Sequence, residues 1–460
     1  MTKIRSDSII KILRTQPRIG AAALRSELGD ISRATLSRAI KQLGNSVVSG
    51  GGSRRIRYAL SRTLRGNAHP IPIYRIDKNG HGHEIGQLAL TYPEGSHLAP
   101  TTLFRWPLDQ DMADGWFDGL PYPIVDMRPQ GFLGRRFAKT NANYLQINDN
   151  NPDYWSDDDV LFALSTMGYD QPGDLIIGNT AYRLFLDSIS EPTVLPIGND
   201  EVNLLYPQLA NLAMTQGIAG SSAGGEFPKF TALRYDQEQK MHVIVKFSGA
   251  DNSAAVQRWS DLLVCEQVAS EILNNVLQIA TVSSVIYQYD GRTFLEITRF
   301  DRHGEYGRSP VCTLSSIHAA LIGKHTDWLH TARILHASGW LADEDAVRIT
   351  LVWWFGKLIA NTDMHDGNLA FRPGLELAPI YDMLPMMYAP ANSGEVPTPA
   401  YQPALPFPAE QEIWQQATTA AIQYWHTCAQ DTRISLDFRA ICQKNSDDLD
   451  NLLTKIKAYN

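Results

Sequence analysis

The sequence contains no run of about 18 consecutive apolar residues, the length a helix needs to cross a bilayer, so no membrane span is expected. The N-terminal stretch MTKIRSDSIIKIL is interrupted by Lys3, Arg5, Asp7 and Lys11. It lacks the apolar core of a secretory signal, and the expected location is the cytoplasm. Cysteine is scarce. Cys265, Cys312, Cys428 and Cys442 lie far apart with no Cys-x-x-Cys pair, which argues against a zinc site or a disulfide framework and predicts reduced, mostly buried thiols. Acidic residues are nearly missing from the first 66 positions. Fourteen Lys or Arg there face only Asp7, Glu27 and Asp30, a local charge of +11, whereas the whole chain carries −8 and the remainder therefore −19. Such a division predicts a basic module for a polyanion joined to an acidic body that would not itself hold DNA.

With 460 residues, 44% hydrophobic and 20% charged, the chain has the composition of a multidomain globular protein. Residues 6 to 60 show three short helical patterns followed by a hairpin pattern. Ser6 opens a helix bearing Ile9, Ile10 and Leu13, which Pro17 ends; Gly20 to Leu28 forms a second, closed by Gly29; Ser32 opens a third. In the third, Leu36, Ile40 and Leu43 form a buried stripe and leave Arg33, Ser37, Arg38 and Lys41 on the polar face. Val47 and Val48, a turn at Gly50 to Gly52, then Ile56 and Tyr58 with Arg54, Arg55 and Arg57 between them, predict a hairpin with a basic tip. The order resembles a winged helix-turn-helix, in which the third helix reads base edges and the tip holds phosphates. A small protein-interaction module with a solvated basic face is the plainer alternative.

Residues 67 to about 200 are rich in Pro, Gly and aromatics, and IPIYRI and GQLALTY have the pattern of sheet strands. No catalytic constellation is found there. Further on, GIAGSSAGGEFPKF offers Gly217, Gly220, Gly224 and Gly225, whose backbone N–H groups could cradle phosphates. A Walker lysine is missing, since Glu226 stands where that motif needs Lys, and a standard P-loop is excluded. In VIVKFS, Lys246 lies inside an apolar strand and needs an anion. Glu266 in the following helix, or nucleotide phosphates, could supply it, as in kinases. Asp290-Gly291 marks a hairpin turn, and the returning strand ends at Thr298, Arg299 and Phe300, where adenine commonly docks in such folds.

The densest cluster of polar chemistry is NTDMHDGNLAF, residues 361–371, between an apolar helical run (351–360) and a strand-like LAF. If LAF, the turn RPG and LELAPIYD close a hairpin about position 375, Asn368 and Asp382 meet at its base and can both ligate magnesium. Asp363, five residues before Asn368, then stands beside the metal as the candidate base for an attacking hydroxyl. His365 could orient the loop or contact phosphate. Asp366 is expected to face solvent.

Taken together, GSSAGGEFPKFTAL, the strand lysine, ITRFDR, NTDMHDGN and PIYD resemble the HipA-like serine/threonine kinase family of bacterial toxin–antitoxin systems. The resemblance covers about residues 217–385 and weakens back to about 70. With the winged helix-turn-helix pattern of 1–66 it gives a multidomain α+β chain, in which the resemblance implies a β-rich subdomain (67–200), a β-rich kinase N-lobe (201–302) and a helical C-lobe (303–460). It also implies ATP and magnesium as cofactors. Asp363 would be the proton acceptor, and Asn368 and Asp382 the metal ligands. Lys246 and the loop including Ala223, Gly224, Gly225 and Lys229 would bind phosphates, Thr298 to Phe300 would form the hinge, and Tyr381 would neighbour the nucleotide. Family members can autophosphorylate a serine of the glycine-rich loop, here Ser222 with Ser221 beside it. Two departures are visible: Thr298 stands where the family often has Glu, and the DNA-binding module is fused rather than a separate antitoxin chain. Expected partners are a protein bearing a target Ser or Thr, DNA, and a second copy of the chain. The competing reading is a nucleotide-sensing DNA-binding regulator without turnover. A metal hydrolase built on Asp363, His365 and Asp366 leaves the glycine loop and Lys246 unexplained.

Overall fold

The computed structural model describes residues 6–149, 151–216, 227–324 and 326–458. The chain divides into two compact units, Met1–Arg128 with Asn141–Pro192, and Pro129–Thr140 with Thr193–Asn460.

The first unit opens with α1 (Ser6–Thr15), β1 (Ile19–Gly20), α2 (Ala21–Glu27), α3 (Arg33–Leu43), β2 (Val47–Gly50) and β3 (Arg57–Leu60). Ile9 and Leu13, one helical turn apart, join Leu24, Leu36 and Tyr58 in a small core. Ser32 Oγ accepts from the Thr35 amide at 3.1 Å and so caps α3. The three strands run in the order β1-β3-β2. A five-stranded antiparallel sheet follows, ordered β7-β6-β5-β4-β8, from β4 (Ile71–Ile76), β5 (Gly82–Leu90), β6 (Ser96–His97), β7 (Trp116–Phe117) and β8 (Leu175–Ile177). The expectation of a simply β-rich segment needs correction. Helices α4 (Tyr122–Val125), α6 (Asp157–Met167) and α7 (Asn179–Ser190) also lie here, and α5 (Gly131–Leu145) is divided between the two units. In α6 the mean hydropathy is high and the amphipathic stripe weak, because Val160, Leu161, Ala163 and Leu164 are all buried; a helix covered on several sides loses its periodic signature.

In the second unit, α8 (Val202–Gln216) precedes β9 (Lys229–Asp236), β10 (Gln239–Phe247), α9 (Ala254–Asn275), β11 (Ser284–Tyr289) and β12 (Arg292–Thr298). The strands form one antiparallel sheet in the order β11-β12-β10-β9. Tyr206 and Ala210 of α8 pack on Phe230, Val245, Phe247 and Phe294. Asp290 and Gly291, with φ of 51° and 71°, supply the two-residue turn between β11 and β12. Arg234 and Glu296 form a buried pair at 2.8 Å, to which Tyr206 also donates, so neither charge is buried alone. After the short β13 (Arg302–His303), β14 (Gly307–Arg308) and β15 (Cys312–Thr313), the chain becomes helical. It continues through α10 (Leu314–Leu321), α11 (Trp328–Ala337), α12 (Asp343–Leu358), the small hairpin β16 (Ala370–Arg372) and β17 (Glu376–Leu377), then α13 (Gln411–Gln430) and α14 (Leu436–Ala458). Among the described residues no helix is long and apolar enough to cross a membrane.

Candidate active site

Strand β10 places Val243, Val245 and Phe247 in the core, yet Lys246 between them is also only 5% exposed. Its Nζ donates to both oxygens of Glu266 on α9, at 2.7 and 2.9 Å, and to Oδ1 of Asp382. Three charged groups therefore share one small space. Burial alone would discharge the ammonium, but the fields of Asp382 and Glu266 outweigh it and raise its pKa. Burial likewise opposes ionisation of Asp382, and Lys246 and Lys229 prevail, holding that carboxyl at about 2. Glu266 goes the other way: burial, helped by the negative Asp382, exceeds the attraction of Lys246 and pushes it up to about 7. Lys229 stands opposite Lys246 in the β9–β10 ladder.

The loop after α12 is held by side-chain amides. Asn361, 2% exposed, accepts from the Asp363 amide at 3.0 Å and donates to the Asp382 carbonyl at 3.3 Å. Asn368 Nδ2 donates to the Asp363 carbonyl at 2.8 Å. Asp363 itself is exposed. The hairpin that follows differs from the expected one. Phe371 pairs with Leu377 and Arg372 with Glu376, so the centre is Gly374 rather than residue 375. Leu375, with φ of 52°, belongs to a three-residue turn and does not start the strand. Moving the centre by one moves every partner by two, and extending that register would put Ile380, not Asp382, opposite Asn368. The returning strand also stops at Leu377, after which Ile380 bridges in parallel to Thr281. Asn361, rather than strand pairing, ties Asp382 to the Asp363–Asn368 loop.

Because the Asn368 amide nitrogen is spent on Asp363, its oxygen is the atom left to a ligand, and Asp382 is a held-down carboxylate with one oxygen not taken by Lys246. Among the described residues no cluster of three or more His, Cys, Asp or Glu forms a metal cage. Two hard oxygens suit magnesium, which takes few protein ligands when phosphates complete its shell.

The other candidates take varied places. Thr298 ends β12, the Arg299 amide donates to His242 O at 2.9 Å, and the Arg299 guanidinium is held by Asp301 at 2.8 and 2.9 Å. Phe300 stacks on Tyr381 with ring centres 6.0 Å apart, and Tyr381 donates to Gly367 O at 2.7 Å, so the end of β12 and the loop meet through two rings. His365 Nδ1 accepts from the Gly367 amide at 3.0 Å and caps the turn. Asp366 does not face solvent: its side chain is 13% exposed and lies 2.8 Å from His318 Nδ1 on α10. Ser221, Ser222, Ala223, Gly224 and Gly225 lie outside the described residues. Buried Cys265, Cys428 and Cys442 converge from α9, α13 and α14 near Tyr424, and burial raises the pKa of each thiol.

In the N-terminal module, Arg33, Ser37, Arg38 and Lys41 are exposed on α3, and Arg54 is exposed on the hairpin. The basic tip of the hairpin is partly engaged by carboxylates. Arg57 makes a two-pronged pair with Asp111 at 2.6 and 2.7 Å, and Arg55 meets Asp114 at 3.2 Å. Sequence reasoning missed Asn361, His318, Asp111 and Asp114. Only Asn361 carried a local signal, as an Asn two residues before the Asp whose amide it accepts.

Residues 67–186 match the family model described as "YjjJ-like toxin, middle domain", and residues 221–448 match the "HipA-like C-terminal domain". Toxin YjjJ of Escherichia coli (strain K12) is 36% identical over 95% of this chain and 96% of its own length. A chain of the Shewanella oneidensis MR-1 toxin–antitoxin complex of HipA, HipB and operator DNA shares the fold with a TM-score of 0.50 and 14% identity, over 82% of this chain and 95% of that one. The Helicobacter pylori proinflammatory kinase CtkA is more distant, with a TM-score of 0.34 and 13% identity over 50% of this chain and 88% of that one. With near full-length similarity to a toxin and a matching C-terminal domain, the chain belongs to the HipA-like toxin family.

Proposed function

We propose that this protein is an ATP- and magnesium-dependent protein serine/threonine kinase whose N-terminal module, a winged helix-turn-helix, binds DNA. The observation that carries the reading is the joint between two elements: Lys246 bonded to Glu266 and Asp382, and Asp382 tied through Asn361 to the loop of Asp363. Phosphoryl transfer asks a protein mainly to position groups and neutralise charge. In this reading Lys246 and Lys229 face the nucleotide phosphates, Asn368 and Asp382 hold magnesium, and Phe300 and Tyr381 border the base. Bound magnesium would supply charge neutralisation on the transferring phosphoryl group. Asp363 takes the proton of the acceptor hydroxyl, and its exposure lets a protein side chain reach it. Membership of a toxin family and the HipB and operator DNA beside the HipA-like neighbour support DNA, or an antitoxin, as a partner.

The test is incubation with γ-labelled ATP and magnesium, comparing wild type with Asp363→Ala and Asp382→Ala and mapping phosphosites by mass spectrometry. Label on Ser221, Ser222 or an added cell-extract protein that vanishes in both variants is the expected result. Nucleotide binding with no label anywhere would overturn the kinase reading in favour of a nucleotide-sensing regulator.

A further inference from the structure

The wing hairpin is engaged by the middle domain of its own unit on three counts. Two of its three arginines meet carboxylates, Arg57 with Asp111 and Arg55, whose side chain stays 69% exposed, with Asp114. Its apolar face joins a core, since Val48 and Ala59 pack with Trp116. Its tip is pressed close: a Cβ added at Gly50 would lie 2.2 Å from His97 Nε2 and 2.9 Å from Trp116, and one at Gly51, where φ is +86°, would lie 3.5 Å from Asp114 Cγ. The turn glycines thus permit backbone approach to β6 and β7 as well as the turn itself.

A carboxylate that receives both prongs of an arginine presents the same paired oxygens as a DNA phosphate. Asp111 and Asp114 share a single short turn, Gln110–Asp114, with Asp118 just beyond it pairing Arg18 at 2.6 Å. Arg33, Arg38 and Lys41 on α3 are exposed, as is Arg54 on the hairpin. We propose that the acidic segment Asp109–Asp118 occupies the phosphate-binding side of the wing in place of DNA, so that duplex DNA is held through the α3 face and Arg54 while this contact is closed. The proposal rests on the DNA-binding reading above. It makes the middle domain a competitor for the wing: any event that separates the two would add arginines to the DNA footprint.

The experiment measures fluorescence anisotropy of a labelled mixed-sequence duplex with the full chain, across about 50 to 200 mM salt. Asp111→Asn with Asp114→Asn keeps side-chain size and frees Arg55 and Arg57. Binding should tighten, and the slope of log K against log salt should steepen by about 1.8, at about 0.9 for each further phosphate neutralised. Glu84→Gln with Asp187→Asn makes the same change in net charge at exposed sites elsewhere in the unit and should leave the slope at the wild-type value. Adding Arg55→Ala and Arg57→Ala to the aspartate variant should remove the gain. An unchanged slope in the aspartate variant, or an equal steepening in the charge-matched control, overturns the proposal while DNA binding stands. If neither wild type nor any variant binds duplex at the lowest salt, the DNA-binding reading itself falls and takes this inference with it.

Discussion

Replacing Glu266 with glutamine removes one of the two carboxylates that share Lys246 while keeping size and hydrogen-bonding reach. In the wild type the folded-state carboxyl of Glu266 is raised from an ordinary 4.5 to about 7, so the folded protein holds this proton more tightly than the unfolded chain. The stabilisation this gives is complete below pH 4.5 and is lost as pH rises through 7. Asp382 behaves oppositely, since its carboxyl is lowered from 3.8 to about 2; its contribution is present above pH 3.8 and disappears in stronger acid. Between pH 5 and 8 only the Glu266 contribution changes within this cluster. At about 1.4 kcal/mol per pH unit, the wild type should lose about 2–3 kcal/mol relative to Glu266→Gln over that interval. For a body of this size the difference in melting temperature between the two proteins should move by about 3–5 °C, the variant gaining at alkaline pH. Thermal unfolding of both proteins, followed side by side from pH 5 to 8 by tryptophan emission, measures it, because every other titrating group is common to both. Parallel melting curves would refute the reasoning: Glu266 would then remain ionised throughout, and Lys246 would belong to it rather than being divided with Asp382.

Asn361→Ala should cost about 1–3 kcal/mol, because it strands the Asp363 amide and the Asp382 carbonyl in a buried setting, and under the kinase reading it should lower kcat at least tenfold with little change in the KM for ATP. Denaturant unfolding and steady-state phosphoryl transfer check the two halves, and full activity would show that the loop keeps its shape without this residue. Ser32→Ala removes the α3 cap and should cost about 1 kcal/mol, read as roughly fivefold faster hydrogen exchange at the first amides of α3. Unchanged exchange would mean that packing against Leu36, not the cap, holds the helix start.

The neighbouring residues of the chain determined a good deal of this protein. Ser32 and the Leu36–Leu43 stripe mark α3, Asp290-Gly291 marks the β11–β12 turn, and a lysine set among valines and phenylalanine demands an anionic partner, because capping, turn geometry and the cost of burying charge all act within a few residues. The order of GSSAGGEFPKFTAL, that lysine, ITRFDR, NTDMHDGN and PIYD was enough to indicate the family. Tertiary structure alone decided which anions meet that lysine together, since Glu266 and Asp382 are 116 residues apart in the chain. It also decided that His318 covers Asp366, that three thiols from separate helices converge, and that Arg55 and Arg57 face Asp114 and Asp111. The hairpin at Gly374 shows the limit most simply. The left-handed pair Gly374 and Leu375 shifts the pairing and leaves Asn361, an amide whose partners become neighbours only once α12 and the strands beyond it have packed, to join Asp382 to the Asp363–Asn368 loop.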